Sequence, residues 1–527
     1  MRRLALPIAL LAGLPLAGPA AGQAIVQSDR IDAVSVTLYR EPGRGEGAIR
    51  PGWPGGYALV TETRTIRVPS GRSIIRFEGV AEGMLPESAI VTGLPRPVNE
   101  KNRDARLLSP AALVDAYLKR RVMITRTSRA TGKAKTEEAI IQSGPRGGVL
   151  LTTAAGVEAL SCSGLPESLR YPDVPDDLSA KPTLSIVTDT AKAATATVQL
   201  SYLAQGFDWS ANYVARVADD GKTLDLFAWL TVANGGSQGF ARAKTQAVAG
   251  GLHREAAAHL PQGMPPKLTL QCWPMDITST YPAWDIERPP PPEMVMEEDK
   301  RDGVLMEVMP VPMMAMAPPP PPPPAPPPMM AQQEDLGDLK LYRIPEPVTV
   351  AALSRKQVAM IDRKGVKFER IYTGYFNGSF YAPPSYAMPS QPAALILRTE
   401  NLTRNGLGLP LPAGGVAVFE KGGGASLLVG ESSLKDRAIG EEVELGGGAS
   451  PDIRYVTTSL ARTKDTAPFT VRVTNARSTP ETFELPLPLK IRSAGDTLIE
   501  RKGAKVWRVV VPANGTAELN VTFETRQ

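Results

Sequence analysis

Histidine and cysteine are nearly missing from this chain, with two of each in 527 residues. The histidines stand at His253 and His259. Six positions apart they lie about 120° from one another around a helix, so they do not chelate one metal from a single face as the i, i+4 pair of a zinc protease does. Any Ser-His-Asp or Cys-His machinery would have to draw on one of these two. The one Gly-x-Ser-x-Gly run, Gly235-Gly236-Ser237-Gln238-Gly239, precedes Phe240 to Val248, which alternates like a strand. A nucleophile elbow needs a helix there, so a hairpin turn is the expectation. Long apolar runs are equally scarce. Outside the amino terminus no stretch approaches the roughly 18 apolar residues of a membrane-spanning helix. Sustained helical periodicity and heptads are lacking too. The formal charge is only +5, too small and too scattered to argue for nucleic acid.

What the chain does have is turn chemistry, with 51 Pro and 47 Gly, as expected of many short strands joined by turns. Met1 to Ala24 reads as a secretory signal peptide. Arg2 and Arg3 form its basic end, Leu4 to Leu16 its apolar segment and Gly22-Gln23-Ala24 its small-residue cleavage site. Cleavage removes two arginines, so +5 becomes +3. The mature chain keeps Cys162 and Cys272. In an oxidising compartment this pair is expected to form a disulfide, two separately buried thiols being the alternative.

Period-two alternation marks strands at Ile31–Tyr39, Tyr57–Val68, Ser73–Val80 and Glu87–Leu94, with a Gly/Pro-rich loop from Glu41 to Gly56. Ser109 as N-cap and Pro110 in the first turn start one short helix, with Leu113, Ala116 and Tyr117 spaced for one face. Short strands follow at Val122–Thr127, Glu138–Gln142, Gly148–Thr152 and Val157–Cys162. The most regular region has strands at Thr195–Tyr202, Trp209–Val217 and Thr223–Val232, with Ala218-Asp219-Asp220-Gly221 as a hairpin turn. The third of these is apolar on both faces, which predicts cover on both sides, as a central strand of a sandwich or as part of an interface. Further strands are expected at Val348–Met360, Val366–Tyr375, Ala393–Thr399, Val416–Phe419, Ser426–Val429 and Ile453–Ser459. The glycine triplets 422–424 and 446–448 lack phosphate-loop context and read as tight turns. Phe469–Thr474, Thr482–Leu485, Ala504–Val511 and Thr516–Thr525 complete an immunoglobulin-like set.

The stretch 287–340 is of another kind. Its proline runs, Pro318–Pro324 and Pro326–Pro328, and its thin apolar content predict a disordered Pro/Met-rich insertion. The spacing Met306-x-x-Met309 and the group Met313, Met314 and Met316 would permit Cu(I) ligation, but no His or Cys joins them. A linker with a docking stretch is the preferred reading, and no cofactor or metal is expected. Trp273, Tyr281 and Trp284, before the tract, join these methionines as expected partner contacts. A second aromatic group, Tyr372, Tyr375, Phe376, Phe380, Tyr381 and Tyr386, would serve either stacking on sugars or core packing. The carboxylate pairs Asp176-Asp177 and Asp219-Asp220 sit in turn contexts and do not by themselves make a glycosidase.

Two places resemble a known family. One is Ser201-Tyr202-Leu203-Ala204-Gln205-Gly206-Phe207-Asp208-Trp209 with Tyr213, continuing through Leu224, Asn234, Gly236, Ala243 and Ala249-Gly250. The other is Asn401, Gly406-Leu407-Gly408-Leu409-Pro410-Leu411-Pro412-Ala413-Gly414, Gly430-Glu431 and Gly440. Together they resemble the bacterial domain of unknown function family 4139, found in mucoidy-inhibitor-A-like exported proteins. The resemblance covers about Lys181 to Thr457 and implies an exported β-rich protein with no established activity. Many members carry a long coiled coil before this domain; here only the helix after Ser109 stands in that position.

The chain is therefore expected to be all-β: several β-sandwich or small-barrel domains, the last immunoglobulin-like, with one short helix and the disordered insertion. The boundaries are a signal peptide (1–24), an N-terminal β-domain (25–104), a barrel-like region with the helix (105–180), a family-like sandwich in two parts (181–286 and 341–460) around the insertion (287–340), and the C-terminal β-region (461–527). Family-like segments on both sides of the tract predict that flanking strands pair across it. The functional expectation is a periplasmic or cell-envelope protein that binds or scaffolds without catalysis, with an envelope protein or polysaccharide as partner. The alternative is a carboxylate-based hydrolase acting on envelope polysaccharide.

Overall fold

The computed structural model describes residues 24–98, 100–104, 108–127, 131–143, 149–160, 167–175, 178–250, 329–487 and 490–525. The fold is all-β, with several sheets and one α-helix among these residues. Two compact units form: a larger one from described residues within 24–104, 178–250 and 329–525, and a smaller one within 108–175.

The larger unit is built around a 13-stranded curved sheet. Its principal strands are β1 (Ala33–Tyr39), β2 (Gly56–Val68), β3 (Ala194–Val217), β4 (Thr223–Asn234), β5 (Phe240–Ala249), β6 (Gln332–Leu336), β7 (Leu339–Arg343) and β8 (Ser354–Lys367). They lie in the order β6-β7-β5-β1-β2-β3-β4-β8. Just before β6, Met330 bridges Ala359 of β8 and the Ala331 N–H donates to the Ala359 carbonyl at 2.8 Å. The sheet thus curls until its two ends meet. Strands after 329 pair with strands before 250 at β4–β8 and β5–β7.

Residues 25–104 do not stand alone as a domain. β1 and β2 lie in the middle of this sheet, β1 parallel to β5 and β2 antiparallel to β3. A separate four-stranded sheet, in the order Ala24–Ser28, Gly71–Glu78, Thr183–Thr190, Glu100–Asp104, likewise mixes early and late segments. Periodicity locates strands locally but carries no record of partners more than a hundred residues away.

The two strands expected at 195–202 and 209–217 are one, the 24-residue β3. At Gly206 the pairing with β2 slips by one residue, and Gly206 takes φ +83°. A glycine bulge bends a strand without ending it. The space a Cβ would fill is taken by the Trp53 indole, 2.7 Å away. Before the bulge β3 pairs with β2; beyond it, with β4.

The side chains facing into the curl form the core. Trp209, Tyr202, Leu200, Leu230 and Val232 are buried there. The Trp209 indole N–H donates to the Val248 carbonyl at 3.0 Å, and its ring lies 6.0 Å from that of Tyr342. These contacts tie β3 to β5 and β7 through the interior. A buried ion pair closes the end near Ser28: Arg64 donates to Glu62 at 2.6 and 2.9 Å, to the Glu78 carbonyl at 2.8 Å and to the Ser28 carbonyl. Tyr202 donates to the other Glu62 oxygen at 2.6 Å. With every strong donor matched, burial of this pair is tolerable.

The two faces of β4 are covered unequally among the described residues. Leu224, Leu226, Leu230 and Val232 are buried, whereas Phe227 and Trp229, on the other face, are half-buried. Their rings meet edge-on, 4.8 Å apart.

The hairpin β9 (Gly414–Gly422) and β10 (Ala425–Leu434) adds to β3 beyond the bulge. Its tip, with Gly423 at φ +60° and Gly424 at φ +83°, is the expected glycine turn. The second triplet, Gly446–Gly448, is not a turn. It lies inside β11 (Glu442–Ser459), the long strand of a nine-stranded sheet. Here β10 crosses β11 so closely that a Cβ on Gly430 would stand 2.5 Å from the Gly447 carbonyl carbon. These glycines permit backbone contact between sheets.

The nine-stranded sheet begins with Glu369–Thr373, well before the expected start at 461, and also includes Gln391–Glu400, Thr466–Asn475, Glu481–Leu487, Ala504–Val511 and Thr516–Glu524. Tyr455 and Phe483 are on strands separated by two others, yet their rings approach to 5.6 Å. The sheet therefore folds over its own core.

In the smaller unit, Ser109 accepts the Ala112 N–H at 3.1 Å and caps the helix Pro110–Ala116. Ala111, Val114 and Tyr117, at i+3 spacing, form its buried face with Ala112; Leu113 and Ala116 lie to one side. Among the described residues the five-stranded sheet runs Gly156–Ala159, Leu150–Thr153, Ala134–Ile141, Arg121–Thr127, Glu167–Arg170.

Candidate functional site

The loop from Glu41 to Gly55 returns across the outer face of the sheet as a strap. Its root is pinned by Asp208, which follows the Gly206 bulge. Asp208 accepts the backbone N–H groups of Trp209 (2.8 Å) and Glu41 (3.2 Å) and is ion-paired with Arg44. Arg44 also donates to the Trp209 carbonyl at 2.8 Å. Burial pushes the Asp208 carboxyl up to about 6, against the opposing pull of Arg44 and the two N–H groups. Further along, Glu46 accepts from the Ser433 hydroxyl at 2.6 Å and faces Lys435 at 3.5 Å. The Ser433 bond foremost, then the Lys435 and Arg437 charges, hold its carboxyl below the usual range. Arg355 donates to the Ile49 carbonyl at 3.2 Å, fixing the strap from β8.

Between the strap, the β9–β10 hairpin and the outer face of β3, β4 and β8 lies a cleft of about 630 Å³. Its floor follows from register. Ser210, Thr231 and Gln357 are direct cross-strand partners on three adjacent strands. Period-two alternation turns their neighbours Trp209 and Leu230 into the core and these side chains outward. Thr231 and Ser210 both donate to Asn212 Oδ1, at 2.6 and 3.3 Å, and Gln357 Nε2 donates to Thr231 at 3.1 Å. The floor is thus a hydrogen-bonded row. It leaves Asn212 Nδ2, Gln357 Oε1 and the remaining Arg355 N–H groups without partners among the described residues. Glu46 is the one carboxylate among the lining residues.

Of the residues singled out from sequence, the described ones do not line this cleft. Cys162, Cys272, Trp273, Tyr281, Trp284, Met313, Met314 and Met316 lie outside the described residues, as do His253, His259 and the pair Asp176-Asp177. Asp219 pairs with Lys421 at 2.9 Å. Asp220 accepts from the Lys222 and Thr223 backbone, which lowers its pKa, so the two carboxylates serve the hairpin turn. Asn234 closes the 235–239 turn by accepting from Gly236 and donating to Gln238, and β5 follows directly. Tyr372 is buried, and Phe376 and Phe380 pack on Phe469 at 5.2 and 5.4 Å. Tyr375, Tyr381 and Tyr386 stay exposed.

Among the described residues no three His, Cys, Asp or Glu side chains gather in a metal-holding group, and no helix is long and apolar enough to cross a membrane. The cleft residues gave only a faint sequence signal: polar side chains at alternate positions of apolar strands, whose convergence depends on register. No family model matches the chain, and no curated protein matches it.

Proposed function

We propose that this is an exported cell-envelope protein that binds or scaffolds a polymer or protein partner without chemically changing it. The proposal includes kinship with domain family 4139, on the segments around Tyr202–Trp209 and Asn401–Gly414. The observation that carries it is the chemistry of the cleft. Glycoside hydrolysis needs a protonated carboxylic acid beside a second carboxylate. The lining carboxylate, Glu46, is instead kept ionised by Ser433 and Lys435. Asp208, which does hold a proton more readily, is fully buried and occupied with Arg44 and two backbone N–H groups. The other polar side chains of the lining are hydroxyls, amides and the Arg355 guanidinium, groups that hydrogen-bond, which is what recognition requires.

The test combines capture and turnover. Full-length mature protein is incubated with cell-envelope extract, and both the retained partner and newly released reducing ends are measured. Enrichment of one partner with no increase in reducing ends is the expected result. Release of reducing ends that Glu46→Gln or Asp208→Asn abolishes would instead establish the carboxylate hydrolase.

A further inference from the structure

Resting on that reading of the cleft, we infer that its ligand is a saccharide chain, lying across the outer face of β3, β4 and β8 with a sugar ring against Trp229. Three successive cross-strand rows carry the argument. The first is Ser210–Thr231–Gln357, the second contains Asn212 opposite Trp229, and the third Val214 opposite Phe227. All point to the same side of the sheet, and successive rows are about 7 Å apart. A polar row therefore passes directly into an aromatic one. Trp229 and Phe227 are half-buried and set edge-to-face, so each ring braces the other.

A sugar is two-natured in the same way. Its hydroxyls each donate and accept, and its C–H face is apolar. The unpartnered groups of the cleft match the first property: Asn212 Nδ2 and the Arg355 N–H groups donate, and Gln357 Oε1 accepts. The electron-rich face of an indole matches the second. Other ligand classes fit less well. A lipid chain would cover Asn212 Nδ2 and Gln357 Oε1 without giving them hydrogen-bond partners. An extended peptide that adds to a sheet would use the outer edge of β8, whereas Asn212, Thr231 and Trp229 stand on the face of β3 and β4, strands paired on both sides. An anion such as phosphate needs several convergent unpaired cations, and Arg355 shares this cleft with Glu46.

The experiment uses full-length protein, a panel of hexose, N-acetylhexosamine and uronate oligosaccharides, and polysaccharide prepared from envelope extract. Binding is followed by calorimetry and by tryptophan fluorescence. The expected result is saturable binding of at least one saccharide, weakened at least tenfold by Trp229→Ala. Gln357→Ala, at an exposed position that leaves the core untouched, should weaken it at least threefold. Tyr381→Ala, on an exposed loop of the nine-stranded sheet, should leave it unchanged. Two results overturn the inference: no saccharide or polysaccharide bound, or binding indifferent to both Trp229→Ala and Gln357→Ala. If none binds while an envelope protein is still captured, the saccharide assignment falls and the binding function stands. If neither is retained, both fall.

Discussion

Asp208 has no solvent contact, yet it anchors the strap through one ion pair and two backbone N–H groups. Its carboxyl is raised from the usual 3.8 to about 6. Between those two values the folded protein holds more protons than the unfolded chain, so stability falls as pH rises through this window and levels off above it. A shift of this size corresponds to a change on the order of 3 kcal/mol. Urea melts of wild type and Asp208→Asn at pH 4 and pH 6.5 should diverge by this order, wild type losing more on going to the higher pH. Parallel profiles would show that Asp208 ionises in the folded state as it does in the unfolded one. Little of this was visible in the sequence. The run Gln205-Gly206-Phe207-Asp208-Trp209 marked an unusual place, but that Arg44 would come to lie on Asp208 depends on a loop leaving the sheet 164 positions earlier.

At the scale of elements, the two glycine triplets look alike in sequence and do opposite things. Gly423 and Gly424 have open space where a Cβ would stand, and their positive φ makes the turn. Gly430 and Gly447 face one another where β10 crosses β11. Gly423→Ala should cost about 1 kcal/mol, the penalty of a left-handed alanine. Gly430→Ala should cost about 1–3 kcal/mol or more, since two backbones must separate. Thermal melts of the two variants decide it; equal losses would mean that the crossing is loose. Strand positions were legible because alternation is local. The helix cap at Ser109 was legible for the same reason, two contacting residues being three apart. The continuity of β3, the start of the nine-stranded sheet and the polar row 210–231–357 were not, because each depends on which distant strand lies alongside.

For the whole molecule, pairing of β4 with β8 and of β5 with β7 means that residues before 250 and after 329 share one sheet. Gln332 pairs with Arg343 and Arg343 with Gln246, so the chain re-enters the sheet level with a residue only four strand positions before Gly250, a span of roughly 13 Å along the strand. Replacing 251–328 with a Gly/Ser linker about one-eighth as long should therefore leave the fold intact. Closing a shorter loop should add up to about 2 kcal/mol. A cooperative melt at the same or higher temperature is expected, and loss of cooperativity would mean that the segment contributes to the core.

The central place of β1 and β2 has a consequence in time. A chain that leaves the ribosome, or is threaded through a membrane, amino terminus first presents these two strands long before β3 and β5 exist to flank them. Until Ala194 and the strands beyond it arrive, they have only each other, with apolar faces and free edges exposed. Assembly of the larger unit must therefore wait for its later strands, and a chain cut short within the smaller unit would be left with its earliest strands open to association with other chains.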